Sequence, residues 1–181
     1  MNALNYFLIL LLLNMKGDTK FENFIGKDIE TFKAINSPLK HRDDLNKYYM
    51  FSEVGYEFYG KTYHNATITT DNENIIKDIT IYMNGIVDKT FYDVFNNNYG
   101  APSDILVVDY AKEVSRREEK REEKVEEELS ATAKKVISFM KKGKFEDKPQ
   151  YLIWNKKGYQ IRIFLRYDIK MSEIKFTLPT D

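Results

Sequence analysis

Apolar and polar positions along this chain follow two periods, and the switches between them mark out its elements. Ile29, Phe32 and Ile35 recur at three-residue spacing behind Gly26-Lys27-Asp28 and ahead of Ser37-Pro38. That pattern predicts a short amphipathic helix capped by Asp28 and stopped by proline. A second helical pattern runs from Asp88 to Tyr99. It places Phe91, Val94, Phe95 and Tyr99 on one face, with Thr90 and Asp93 at capping-box spacing and Gly100-Ala101-Pro102 as a stop. Elsewhere aromatic and β-branched residues cluster between turn residues. Strands are expected at Tyr48 to Phe51, Tyr56 to Tyr59, Tyr63 to Thr70 and Ile75 to Met83, and again at Ile105 to Asp109, Tyr151 to Trp154, Tyr159 to Tyr167 and Glu173 to Leu178. Asp71-Asn72-Glu73-Asn74 and Lys156-Lys157-Gly158 supply tight turns, because Asn, Asp and Gly tolerate left-handed backbone.

The two sets of strands echo one another. Tyr56, Phe58, Tyr63 and Asp71, followed by Ile79 and Ile81, resemble Leu152, Trp154, Tyr159 and Asp168, followed by Ile174 and Phe176. Each set follows a helical pattern, so the chain predicts an α+β fold of two helix-plus-antiparallel-meander halves packed together. Between Val114 and Val125 no apolar residue occurs, and blocks such as Arg117-Glu118-Glu119 and Arg121-Glu122-Glu123 repeat every four residues. This predicts a long, solvated, charged helix over 111–142 inserted in the second half, with Leu129, Ala133, Val136, Ile137 and Met140 forming a docking stripe toward its end. The organisation expected is one α+β domain over 21–181, with pseudo-repeats at 24–87 and 88–181.

Composition narrows the chemistry. Lys and Arg number 28, Asp and Glu 28, so no global field favours nucleic acid. The absence of cysteine excludes disulfides, thiolate catalysis and Cys-based zinc sites. Phe7 to Leu13 is an uninterrupted apolar run, far short of the roughly 20 residues that span a bilayer, and it reads as the core of a signal peptide over residues 1–20 or, alternatively, as an N-terminal apolar segment buried in the folded domain. The expected location is secreted or periplasmic, without a stable membrane span.

Motifs for catalysis are missing. His41 and His64 have no second imidazole nearby in sequence; Gly55, Gly60 and Gly85 match no phosphate-binding spacing; no serine sits in a nucleophile elbow. Asp71, Glu73 and Asp78 lack the glycine and terminal glutamate of an EF-hand and read as a hairpin turn. No metal, cofactor or catalytic residue is therefore expected.

In the longest expected strand Tyr159, Ile161, Ile163, Leu165 and Tyr167 face one way, while Gln160, Arg162, Phe164 and Arg166 face the other. Arg162, Phe164 and Arg166, beside Lys175 and Thr177 and near Thr80 and Tyr82, make the candidate binding surface, since exposed aromatics and arginines are common interface anchors. An ordinary solvated face, or one covered by the charged helix, is the plainer reading.

The order helix, polar link, antiparallel strands, with Ile25-Gly26-Lys27 before the first helix and Tyr99-Gly100-Ala101-Pro102 after the second, resembles small exported α+β proteins of the SmpA/OmlA and β-lactamase-inhibitor-protein type. There, helices cover one sheet face and the other binds a partner protein. The missing lipoprotein cysteine and the charged insertion depart from that type. The resemblance implies a non-enzymatic protein-binding or envelope-assembly module. The alternatives are an intracellular immunity-like protein and a carboxylate-dependent hydrolase.

Overall fold

The computed structural model describes residues 20–34, 40–41, 47–51, 56–109 and 139–179. The strands of the first half are β1 (Lys40–His41), β2 (Tyr48–Phe51), β3 (Tyr56–Phe58), β4 (Lys61–Thr70) and β5 (Ile76–Asn84). Those of the second are β6 (Asp104–Val108), β7 (Met140–Lys142), β8 (Tyr151–Lys156), β9 (Tyr159–Arg166) and β10 (Met171–Thr177). They join in one 10-stranded antiparallel sheet ordered β1-β2-β4-β5-β10-β9-β8-β6-β7, with β3 paired to β4 off that path. The helices are α1 (Ile29–Lys33) and α2 (Lys89–Tyr99), and short 3₁₀ turns lie at Phe21–Phe24 and Phe145–Asp147.

This corrects the expected α+β class. The fold is mostly β: among the described residues only α2 exceeds two turns, and α1 is five residues long. The charged helix over 111–142 is corrected where it can be seen. Residues 110–138 lie outside the described residues, and Met140–Lys142, assigned to its end, form a strand paired with β6. The backbone beyond it explains why a helix cannot run on. At Gly143 a Cβ would meet Val107 Cγ1 at 2.7 Å, and the Gly143 N–H donates to Ile105 O at 2.9 Å. Glycine permits this close approach and weakens a helix. The two halves meet edge to edge, joined by the pairing of β5 with β10.

The registers carry an internal two-fold relation about that seam. Ile81 faces Ile174, Thr80 faces Lys175 and Ile79 faces Phe176. Outward on one side Thr67 pairs with Thr80 and Met50 with Thr67. On the other Arg162 pairs with Lys175 and Ile153 with Arg162. At the margins β1 on β2 matches β6 on β8. The true counterpart of Trp154, which faces Ile161, is Phe51, which faces Ala66, and not the Phe58 suggested by the echo in sequence. β3 is an extra hairpin strand in the first half, and β7 an extra margin strand in the second.

One face is covered. Asp28 caps α1 by accepting from the Glu30 N–H at 2.8 Å, and α1 buries Ile29 and Phe32. Asp88, rather than Thr90, caps α2 by accepting from the Phe91 N–H at 2.9 Å; Phe91, Phe95 and Tyr99 are buried beneath the helix. These rings meet Phe21, Phe58, Trp154 and Phe176, with Phe95 4.9 Å from Trp154 and Phe21 5.6 Å from Phe58. Burying each such side chain stabilises the fold by about 1.5–3 kcal/mol. The inward residues of the central strands, including Ala66, Ile68, Ile79, Ile81, Ile161, Ile163, Leu165, Ile174 and Phe176, complete this core. Neighbours of opposite parity point to the other face, which the described helices leave open.

Candidate binding face

Strand alternation sets which side chains reach the open face, and cross-strand register sets their neighbours. The anchors expected from sequence sit on three strands: Arg162, Phe164 and Arg166 on β9, Lys175 on β10 and Tyr82 on β5. Lys175 lies directly across from Arg162, whereas Tyr82 is separated from Phe164 by Glu173. Arg162 is exposed, and the other four are partly buried. Thr177 is half-buried and Thr80 buried on the same face.

The geometry adds a residue that the sequence did not single out. Tyr151 on β8 pairs with Phe164, and their rings stack at 4.7 Å with 12° between planes. The Arg162 guanidinium lies 5.8 Å from the Tyr151 centroid, and the Arg166 guanidinium 5.9 Å from that of Phe164. The result is a ladder: cation, ring, ring, cation. Each cation–ring contact is worth about 0.5–1 kcal/mol when exposed. Holding the long arginine chains in place also lowers the entropy lost when a partner is bound. Burial pushes the Tyr151 phenol above its ordinary pKa, with Arg162 pulling it back in part.

Acidic neighbours divide the cations into two kinds. Arg166 Nη1 is 3.2 Å from Glu173 Oε1, and Lys175 Nζ is 3.3 Å from Asp78 Oδ2; Asp78 also accepts from the Thr69 hydroxyl. Arg162 is exposed and has no carboxylate partner among the described residues. Burial raises the pKa of the Tyr82 phenol, with Thr67 beside it pulling it back in part.

The remaining candidates take structural places. Asp71 Oδ1 accepts from the Glu73 and Ile75 N–H groups and Asp71 Oδ2 pairs with Lys77 at 2.8 Å, which together close the β4–β5 turn. Lys77 and those N–H groups hold the Asp71 carboxyl below its usual range. His64 is exposed on β4. Among the described residues no group of three or more His, Cys, Asp or Glu is placed to hold a metal ion. On the covered side the Tyr59 hydroxyl donates to Tyr99 Oη at 3.2 Å, and the Tyr99 hydroxyl donates to Glu22 Oε2 at 3.0 Å. Burial, then the contacts with Tyr59 and Glu22, push the Tyr99 phenol far above its ordinary value. It remains a protonated donor that ties the N-terminal 3₁₀ turn to α2.

Comparison with known proteins finds no matching family model, no similar curated protein and no similar solved structure. Among the described residues no helix is long and apolar enough to cross a membrane.

Proposed function

We propose that this chain is a non-enzymatic protein-binding module whose working surface is the open sheet face centred on the Arg162–Tyr151–Phe164–Arg166 ladder. One observation carries the reading. By the two-fold register, Arg162 and Phe164 occupy the positions that Thr67 and Thr69 hold in the first half. Threonine satisfies the same backbone site, so the architecture does not require arginine and phenylalanine there. Large aromatics and arginines held in place on an open surface are the usual anchors of protein interfaces. A sheet covered on one face and open on the other also suits the exported partner-binding proteins that the sequence resembles. The apolar run Phe7 to Leu13 supports action after export, which mass spectrometry of the mature N-terminus would test.

The binding reading is tested by placing a photo-crosslinking phenylalanine analogue at position 164 or at its counterpart 69 in the native host. Protein adducts are expected from position 164 and not from position 69. Equal yields from both, or none from 164, would overturn the proposal.

A further inference from the structure

The two hairpins that end at the seam strands differ at their tips. The β4–β5 turn, Asp71 to Ile75, and the β9–β10 turn, Tyr167 to Lys170, join corresponding strands of the two-fold register, and counted from either flanking strand Asn74 corresponds to Ile169. The first turn exposes Asn72, Glu73 and Asn74 and is closed by the Asp71 carboxylate. It shows what turning the chain requires there: short polar side chains that bond locally and tolerate left-handed backbone, as Asn74 does at φ 63°. The second turn reads Tyr167-Asp168-Ile169-Lys170, and all four residues are exposed. Only three large apolar side chains are exposed among the described residues, and two of them are here, Tyr167 at 39% and Ile169 at 51%. Apolar residues scattered singly on a surface are ordinary. These two share one turn, where Ile169 adds neither turn chemistry nor core burial.

The turn is held in place by the frame. Lys170 takes the left-handed position at φ 52°, and its carbonyl accepts from the Gly85 N–H at 2.7 Å. Two residues on, the Ser172 hydroxyl donates to Gly85 O and accepts from the Val87 N–H. These bonds tie the hairpin to the link between β5 and α2, so little ordering is left to lose when a partner binds. The tip also continues the ladder. Tyr167 follows Arg166 directly, and Tyr167 and Asp168 line the same groove as Phe164 and Arg166.

Charge decides between the two kinds of surface that could receive an apolar tip. Asp168 and Lys170, on either side of Ile169, have no ion-pair partner among the described residues. A bilayer would have to take up Asp168 beside Ile169, and two apolar side chains are far less than an interfacial helix inserts. A protein cavity can bury the isoleucine and meet each flanking charge with its opposite at the rim.

Resting on the binding reading above, we propose that the β9–β10 turn is the apolar knob of the same interface. Ile169 enters a hydrophobic cavity of the partner protein, Tyr167 covers the edge of that cavity, and Asp168 and Lys170 meet a cation and a carboxylate on its rim.

The photo-crosslinking analogue tests this when placed at position 169 and, as a control, at position 74. Position 169 is expected to give an adduct with the same partner as position 164, mapped by mass spectrometry to an apolar residue of that partner, and position 74 none. With that partner purified, Ile169→Asn, which copies the counterpart turn, should raise Kd about tenfold, as for an anchor residue. Its urea midpoint should not move, since the side chain is exposed, and Ile169→Leu should bind like wild type. Adducts from 164 with none from 169, equal yields from 74, or an unchanged Kd in Ile169→Asn would overturn the knob and leave the binding face standing. No adduct from 164 removes the binding reading and this proposal with it. Co-sedimentation of the wild type with phosphatidylethanolamine–phosphatidylglycerol vesicles, abolished by Ile169→Asn, would assign the tip to a lipid surface and overturn the proposal.

Discussion

Thr67 and Thr69 on β4 and Arg162 and Phe164 on β9 hold corresponding places either side of the β5–β10 seam, yet the surfaces they make differ. On the first side Thr67 is buried beside Tyr82, Thr69 donates to Asp78, and Asn65 Oδ1 is buried with no hydrogen-bond partner among the described residues. On the second, Arg162 is exposed with no carboxylate partner among the described residues, and two rings stack beside two guanidinium groups. The strand order about the seam is common to both, while β4 carries register shifts against β5 at Tyr63/Asn65 and Thr69/Thr70 that the pairing of β9 with β10 lacks. What the sheet needs for folding can be read from the first half, and what the second half adds is available for recognition.

The largest effect should come from breaking the second half itself. Trp154 is fully buried, packs on Phe95 and donates its indole N–H to Gly100 O at 2.8 Å. Trp154→Ala is expected to cost about 3–5 kcal/mol, measured by urea denaturation. A loss below about 1 kcal/mol, the typical single-substitution effect, would mean that the half is not held by this core.

Exchanging the faces is gentler on the fold. Arg162→Thr should change stability by no more than about 0.5 kcal/mol, and Phe164→Thr by about 1 kcal/mol through the lost stacking. The double variant should nevertheless fail to capture, in a pull-down, the partner that crosslinking from position 164 identifies in the wild type. If both substitutions together unfolded the protein, the architectural equivalence of the two positions would be wrong.

The smallest effect separates the halves by pH. Asp71 closes the first half's hairpin, and its carboxyl is held low chiefly by Lys77. The charged form is favoured in the folded state, so its contribution is present above the ordinary carboxylate range, near pH 3.9, and is lost as pH falls through the lowered native value. Asp71→Asn should therefore lower the urea midpoint at neutral pH and cost progressively less below about pH 4. A difference from wild type that does not change with pH would assign the effect to turn geometry instead of charge.

Much of the sheet was legible because local pattern settles it. The alternation from Tyr159 to Arg166 gives β9 and its two faces without reference to any other strand, and Asp71 to Asn74 announces the β4–β5 turn. Tyr151 was missed because Tyr151-Leu152-Ile153-Trp154 is apolar throughout, so alternation is silent about which residues face outward. Only its pairing with β9 places the ring on Phe164. The ion pairs of Arg166 with Glu173 and Lys175 with Asp78 depend on register for the same reason. Met140 to Lys142 continued a helical composition but found backbone partners on β6, a contact between distant segments that no local window contains. The echo matched Phe58 with Trp154 because two aromatic strands, β2 and β3, compete for one place in the pattern.

A two-fold seam between antiparallel strands is also the geometry by which two identical subunits extend one sheet. Identical subunits, however, must show the same side chains on both sides of the axis. Carrying both halves on one chain removes that constraint and holds the seam at a high effective concentration whatever the protein's abundance. Each half can then vary separately. The seam at Thr80 and Lys175 is thus what allows an asymmetric surface to sit on a nearly symmetric frame.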